Sequence, residues 1–121
     1  MKNIVILGST GSIGASTLDI VSKFPEDFRV VGLAAGSKAS VVAEQIRLFQ
    51  PDVVALSSPE AAKALRSMIG NGTVDILEGE EGLCAVAALP QGELVISAIV
   101  GGAGLKPTLA AIKAGKTVSL A

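Results

Sequence analysis

A glycine-rich segment near the start of the chain limits most strongly what this sequence can fold into. The apolar run of residues 3–7 leads into Gly8-Ser9-Thr10-Gly11-Ser12-Ile13-Gly14, where a helical pattern begins. Such a turn lets main-chain N–H groups approach a diphosphate, and the following helix N-terminus adds partial positive charge. The G-x-x-G-x-x-G spacing differs from the commoner G-x-G-x-x-G, so the preceding strand and following helix carry the interpretation. The segment predicts a phosphate-binding turn, and the alternative is a tight strand-to-helix turn without a ligand.

Apolar runs alternate with helical patterns along the whole chain. Strands are predicted near 3–8, 29–35, 52–56, 73–77, 93–98 and 117–120, and helices near 12–23, 40–49, 59–69, 80–88 and 105–114. Continuous Val, Ile and Leu runs such as residues 52–56 are typical of parallel strands covered on both faces. We therefore expect a single α/β domain, Rossmann-like and doubly wound, with a mostly parallel sheet and helices on both faces.

Local patterns add detail to two of these helices. The first is predicted to be amphipathic, and its shared face is formed by Ile13, Thr17, Ile20 and Phe24. Ser58-Pro59 is typical of an N-cap followed by proline at the first helical position.

Composition excludes several classes of function. Ten basic and eleven acidic residues give a net charge of −1, and His, Trp and Tyr are absent, so nucleic-acid binding has no support. Cys84 is the only cysteine and is predicted to be a buried small apolar residue, which fits a reducing, cytoplasmic compartment. No targeting segment or membrane span is visible. Half of the residues are apolar and 14 more are glycine, so we expect burial against a missing domain or a second subunit.

The end of the second predicted strand indicates which dinucleotide would bind. An NAD-binding domain usually places Asp or Glu about 20 residues beyond the glycine turn, where it binds the ribose 2′-hydroxyl. Here the strand runs into Gly36-Ser37-Lys38, and no carboxylate lies between Asp27 and Glu44. Gly36 permits close approach, Ser37 donates a hydrogen bond and Lys38 supplies positive charge to a 2′-phosphate. The segment favours NADP(H) over NAD(H), and the alternative for Lys38 is an ordinary solvated lysine.

Two further glycine segments resemble ligand-binding sequences. Gly115-Lys116-Thr117 imitates the end of a P-loop, but the order is helix then strand, the reverse of a P-loop, so Gly115 is predicted to end a helix. Gly101-Gly102-Ala103-Gly104 follows the fifth strand. It is either a flexible connection or a place where main chain approaches the nicotinamide half of the cofactor.

Three segments together resemble the N-terminal part of the 1-deoxy-D-xylulose 5-phosphate reductoisomerase family. They are the opening Leu7–Gly14 with Ser16–Asp19, the second strand Phe28–Val31 with Ala35-Gly36, and Ala98–Gly101 with Pro107–Thr117. The resemblance runs essentially from end to end of the chain. It implies an NADPH-dependent oxidoreductase that rearranges and reduces 1-deoxy-D-xylulose 5-phosphate to 2-C-methyl-D-erythritol 4-phosphate in non-mevalonate isoprenoid biosynthesis.

The resemblance also implies roles for particular residues. Those matching the family's contacts to cofactor phosphates and ribose are Thr10, Gly11, Ser12 and Ile13, and those around the 2′-phosphate are Gly36, Ser37 and Lys38. Ser37-Lys38 departs from the Lys-Asn pair of some members, so the two roles are open to exchange. Ala98 is expected near the nicotinamide.

The last residues, 116–121, are predicted to form a strand that stops where a functional loop would begin. We therefore expect a fragment, residues 1–121, that binds NADPH and has no turnover. Catalytic residues, the divalent cation (magnesium or manganese), the phosphorylated sugar and homo-oligomerisation are expected only of the full-length enzyme. The cluster Glu78, Glu80 and Glu81 is interpreted as a solvated loop rather than a metal site.

Two other functions remain open on the residues alone. The chain has the turn expected of another NADP-dependent reductase, such as a semialdehyde dehydrogenase, and the Pro107–Thr117 segment argues against that class. The other alternative is a non-catalytic module that senses NADP.

Overall fold

The computed structural model describes residues 1–70 and 72–121 and contains six strands and five α-helices in strict alternation. The strands are β1 Lys2–Leu7, β2 Phe28–Ala35, β3 Val53–Leu56, β4 Asp75–Glu78, β5 Leu94–Ser97 and β6 Thr117–Leu120. The helices are α1 Ser12–Ser22, α2 Ala39–Phe49, α3 Pro59–Ile69, α4 Gly79–Ala87 and α5 Leu105–Lys113, with a short 3₁₀ helix at Gly101–Gly104. The predicted elements are confirmed, with ends that differ by two residues at most.

The six strands form one sheet in the order β4-β3-β2-β1-β5-β6, and all five pairings are parallel. The chain first builds outward from β1 to β4, and then returns to the other side of β1 with β5. The predicted doubly wound α/β fold is therefore confirmed. Strand order reverses between β1 and β5, and parallel α/β sheets bind ligands at the carboxyl ends of the strands at such a point.

Two apolar layers cover the sheet, one on each face. Alternate side chains of β1 divide between them, because neighbouring residues of a strand point to opposite faces. Ile4 and Ile6 pack with residues of α1, α2 and α3, whereas Val5 and Leu7 pack with residues of α4 and α5. The central strands are consequently buried on both faces, as the sequence predicts.

Helix α1 packs through a different face from the predicted one. Its buried residues are Gly14, Leu18 and Val21. The predicted apolar face is turned outward, with Ile20 58% and Phe24 48% exposed, so that interpretation is wrong as a guide to packing. Phe24 lies beyond the end of α1, and the close contact between α1 and the glycine turn is made at Gly14, on the buried side of the helix.

Helix α3 begins as predicted. The Ser58 hydroxyl accepts a hydrogen bond from the N–H of Ala61 at 3.2 Å, and Pro59 follows at the first helical position. None of the described helices combines the length and apolar character needed to cross a membrane.

Candidate functional site

A cleft of about 230 Å³ opens at the carboxyl edge of the sheet, where the strand order reverses. It is lined by residues at or just after the carboxyl ends of four neighbouring strands, and by one residue of α4. These lining residues are Gly8, Thr10, Gly11, Ala35, Gly36, Ser57, Leu83, Ala98, Ile99, Val100 and Ala103. The fold therefore brings the glycine turn, the loop after β2 and the loop after β5 into one site.

The sheet itself holds the start of the glycine turn. The N–H groups of Gly8 and Ser9 donate to the Ala34 carbonyl at 2.7 and 3.1 Å, and the Ala98 N–H donates to the Leu7 carbonyl at 2.8 Å. Gly8 has φ +87°, and a Cβ there would lie 2.8 Å from the Ala98 carbonyl atoms. Both facts require glycine at this position for the fold alone.

The other two glycines of the turn differ from each other. A Cβ on Gly14 would lie 2.0 Å from the Gly8 carbonyl oxygen, so α1 contacts the turn too closely for any side chain. Gly11 has φ −74°, and its Cβ would meet only the Gly8 carbonyl oxygen, at an ordinary 3.6 Å. The packing of the chain therefore explains Gly14 and leaves Gly11 unexplained, whereas a ligand lying against the turn would explain it.

Several main-chain donors of the turn have no acceptor in the part of the chain that the structure describes. Gly11 is the N-cap of α1 and makes no side-chain capping bond, and the first helical bond runs from the Ala15 N–H to the Gly11 carbonyl at 2.9 Å. The N–H groups of Thr10, Ser12 and Ile13 are left over. Unpaired N–H groups at a helix N-terminus attract anions through hydrogen bonds and partial positive charge. The turn can therefore bind phosphate oxygens.

The loop after β2 lies beside this turn. The Ser58 N–H donates to the Gly36 carbonyl at 3.2 Å, which fixes the loop against the start of α3. Gly36, Ser37 and Lys38 are exposed, and Lys38 is the N-cap of α2. Over residues 1–70 and 72–121, no carboxylate lies within 4 Å of the Lys38 ammonium group. Its charge is available to an anion, whereas only Gly36 of these three lines the cleft itself.

Three residues that the sequence interpretation passes over also belong to this site. Ser57 and Leu83 line the cleft, and Gln45 of α2 donates to the Ser9 carbonyl at 2.9 Å. Ser57 follows the end of a predicted strand, which is a signal for a site residue. Helical glutamines are mostly exposed, so nothing in the sequence distinguishes Gln45.

The structure also locates the other residues that the sequence analysis discusses. Gly115, with φ +79°, follows the end of α5, as predicted. Gly101–Gly104 forms a 3₁₀ helix rather than an irregular connection, and Ala98 and Ala103 line the cleft.

Cys84 is half-buried rather than buried. Burial raises the pKa of its thiol, and the nearby Glu80 carboxylate raises it further. A protonated thiol is a poor nucleophile.

The acidic cluster lies in regular structure rather than in the predicted loop. Glu78 ends β4 and pairs with Arg66 at 3.1 Å, while Glu80 and Glu81 lie in the first turn of α4, where Glu80 pairs with Lys106 at 3.2 Å. Among the described residues, no three His, Cys, Asp or Glu side chains come together as a metal site would require.

A larger cavity, of about 560 Å³, lies toward the opposite edge of the sheet. It is lined in part by Arg29, Arg47 and Asp52. Both guanidinium groups are already paired, Arg29 with Asp52 at 2.9 Å and Arg47 with Glu44. The cavity therefore offers an anion no unpaired guanidinium group, whereas the glycine turn at the smaller cleft has main-chain N–H groups without acceptors among the described residues. The smaller cleft is the better candidate site.

Comparison with known proteins identifies similar sequences. The profile of the 1-deoxy-D-xylulose 5-phosphate reductoisomerase family matches residues 4–121. The reductoisomerases of Chlorobium phaeobacteroides (strain BS1) and Thermodesulfovibrio yellowstonii are 53% and 48% identical to the whole chain. The chain spans only about a third of their length, 32% and 31%.

Solved structures give the same result. The reductoisomerase of Zymomonas mobilis in complex with NADPH is 32% identical and superposes with a TM-score of 0.93 over 99% of this chain and 31% of its own. A second reductoisomerase, in complex with NADPH, fosmidomycin and magnesium, is 36% identical, with a TM-score of 0.93 over 98% of this chain and 29% of its own. These matches favour neither of the two alternatives from the sequence analysis, another NADP-dependent reductase or a non-catalytic module that senses NADP.

Proposed function

Since this chain belongs to the 1-deoxy-D-xylulose 5-phosphate reductoisomerase family, we propose that residues 1–121 form the NADPH-binding domain of such an enzyme. The observation that carries the proposal is a set of main-chain N–H groups at an open glycine turn that have no acceptor among the described residues, near Lys38, which pairs with no carboxylate of those residues. Bound NADPH supplies a hydride to the reduction, and the residues of this chain hold and orient it.

The glycine turn suits the diphosphate of NADPH. The N–H groups of Thr10, Ser12 and Ile13 donate to phosphate oxygens, and Gly11 presents no side chain that would block their approach. Oxygen atoms of a diphosphate accept several hydrogen bonds at once, which matches a row of donors better than a single carboxylate does. The residues present therefore fit this part of the cofactor.

The loop after β2 suits the 2′-phosphate. Gly36 lines the cleft, and the exposed Ser37 and Lys38 follow directly. An adenosine ribose bound beside Gly36 would bring its 2′-phosphate toward these two residues. The Ser37 hydroxyl and the Lys38 ammonium group both donate to phosphate oxygens, and a charge-assisted bond is the stronger kind. NADPH is therefore favoured over NADH, whose ribose carries no phosphate at this position.

Further properties belong to the full-length enzyme. We propose that it isomerises and reduces 1-deoxy-D-xylulose 5-phosphate to 2-C-methyl-D-erythritol 4-phosphate in isoprenoid biosynthesis. Its divalent cation, magnesium or manganese, does not fit residues 1–70 and 72–121, which bring together no set of metal ligands. Binding of the phosphorylated sugar, self-association and a cytoplasmic location stay predictions.

Replacement of Lys38 by alanine tests the proposed 2′-phosphate contact. Loss of one charged hydrogen bond should weaken NADPH binding by roughly 1.5–3 kcal/mol, while NADH binding should change little. Calorimetric titration of both nucleotides into the wild-type and Lys38→Ala chains measures the difference.

Lys113 provides a matched control. It is an exposed lysine at the end of α5, which leads toward the opposite edge of the sheet. Lys113→Ala should leave both affinities unchanged. Equal losses for NADPH and NADH in the Lys38 variant would remove the 2′-phosphate assignment.

A further inference from the structure

Gln45 lies on α2 but contacts the glycine turn that follows β1. Its Nε2 donates to the main-chain carbonyl of Ser9 at 2.9 Å, across 36 residues of sequence. The residue is only 7% exposed, and it is the only helical residue among the buried polar side chains of the described chain. No other donor to the Ser9 carbonyl is found in the described residues.

This bond fixes the orientation of the peptide group between Ser9 and Thr10. The C=O and N–H of a trans peptide point in opposite directions, and residues 1–70 and 72–121 contain no cis bond. Because the Ser9 carbonyl points at Gln45, the Thr10 N–H points away from it. Thr10 lines the cleft, and its N–H donates to no acceptor of the described chain.

We propose that Gln45 is a positioning residue for dinucleotide binding, because it holds the Thr10 N–H in the orientation that a phosphate oxygen requires. The inference rests on the proposed NADPH site and adds a residue that does not touch the cofactor. Gln45 also lies on the helix that begins directly after Lys38. One helix therefore links the turn assigned to the diphosphate with the loop assigned to the 2′-phosphate.

A glutamine at this position pairs one buried oxygen and leaves another unpaired. The Gln45 Oε1 and the Ser9 hydroxyl are both buried without a partner among the described residues. Buried polar atoms without partners destabilise a folded protein, and an apolar side chain of similar size would remove the unpaired Oε1 but would leave the Ser9 carbonyl without a donor. The single bond to the Ser9 carbonyl is thus the contribution that distinguishes glutamine from methionine here.

The test compares two ligands in the Gln45→Met chain. NADPH carries the diphosphate, whereas adenosine 2′-monophosphate carries only the phosphate assigned to Lys38. We expect the NADPH dissociation constant to rise about tenfold, equivalent to about 1.4 kcal/mol, and that of adenosine 2′-monophosphate to stay within about twofold. In amide NMR spectra, the shift that NADPH induces at Thr10 should shrink, while the shift at Lys38 persists.

Two controls separate positioning from a general loss of structure. Gln91→Met makes the same change at a glutamine whose amide donates to Asp52, away from the cleft, and should alter neither affinity. Val42→Ala removes packing from the buried face of α2 without touching the Ser9 carbonyl, so it should lower the melting temperature and keep both affinities. Gln45→Asn, with an amide one methylene shorter, should behave as Gln45→Met does and serves if the methionine variant does not fold.

Unchanged NADPH binding in a folded Gln45 variant would overturn the inference. An equal loss for both ligands would also overturn it, since that would indicate displacement of the whole helix. Failure of the wild-type chain to bind NADPH is a different result, which would overturn the proposed function itself.

Discussion

At the scale of single residues, the three glycines of the turn perform different tasks. Gly8 and Gly14 are required by the chain, because a Cβ on either would overlap main-chain atoms at 2.8 and 2.0 Å. Gly11 has no such neighbour, since its closest atom would be 3.6 Å away. A motif that looks uniform in sequence therefore divides into two packing positions and one position open to a ligand.

A substitution at Gly14 should mainly lower stability, whereas a substitution at Gly11 should mainly weaken NADPH binding. Gly14→Ala should lower the free energy of unfolding by about 1–3 kcal/mol, because α1 must move away from the turn. Gly11→Val should fold with a loss of less than about 1 kcal/mol, but its side chain should block the approach of the diphosphate. Thermal melts and calorimetric titration of NADPH measure both quantities. Normal NADPH affinity in the Gly11 variant would mean that the segment is only a turn.

At the scale of secondary structure, the order of elements follows directly from the sequence. Short runs of Val, Ile and Leu alternate with helical patterns, and each pattern fits one element. Ends marked by specific chemistry, such as the Ser58 cap and Gly115, are the most accurately predicted. The least accurately predicted end is the start of β4, which lies at Asp75 rather than near residue 73.

Tertiary contacts account for what the sequence does not predict. The outward face of α1 and the buried Gln45 both depend on which helix side meets which neighbour, and spacing along one helix does not contain that information. The site likewise contains residues that the sequence indicates and one residue that it does not. The turn and the loop after β2 are predicted because glycine and lysine have distinctive chemistry, whereas Gln45 acts through a contact 36 residues away.

An ion pair between Arg29, near the start of β2, and Asp52, just before β3, should make the free energy of unfolding depend on pH. Arg29 contacts the Asp52 carboxylate at 2.9 and 3.2 Å and holds the pKa of Asp52 below its ordinary value. A carboxylate with a lowered folded-state pKa stabilises the fold above its unfolded pKa, near 4, and this contribution is lost as pH falls through the folded pKa. The pair is well exposed, so we expect about 0.5 kcal/mol at neutral pH.

Asp52→Asn tests this contribution. The variant should melt slightly below the wild-type chain at pH 7, and the gap should close near pH 2–3, where both chains lack the charge. Glu26→Gln, at an exposed carboxylate outside the ion pairs found in the described residues, should show no gap at either pH. A gap that persists unchanged at low pH would show that Asp52 acts through its other hydrogen bonds rather than through its charge.

At the scale of the whole molecule, the doubly wound sheet explains why distant segments form one site. β1 lies between β2 and β5, so the loops after these strands meet at the carboxyl edge. Gly8, Thr10, Gly11, Gly36 and Ala98 converge there without any long-range sequence signal that identifies them as neighbours. The same sheet places the paired arginines at a separate cavity, which supplies an internal comparison for ligand binding.

Amide NMR of the isotope-labelled chain during NADPH titration tests the central claim most directly, because it reports where the diphosphate meets the main chain. We predict that the largest shifts fall on Thr10, Gly11, Ser12 and Ile13, with a second group at Gly36, Ser37 and Lys38. Shifts that centre on the cavity lined by Arg29 and Arg47, or the absence of any shift at saturating NADPH, would contradict it.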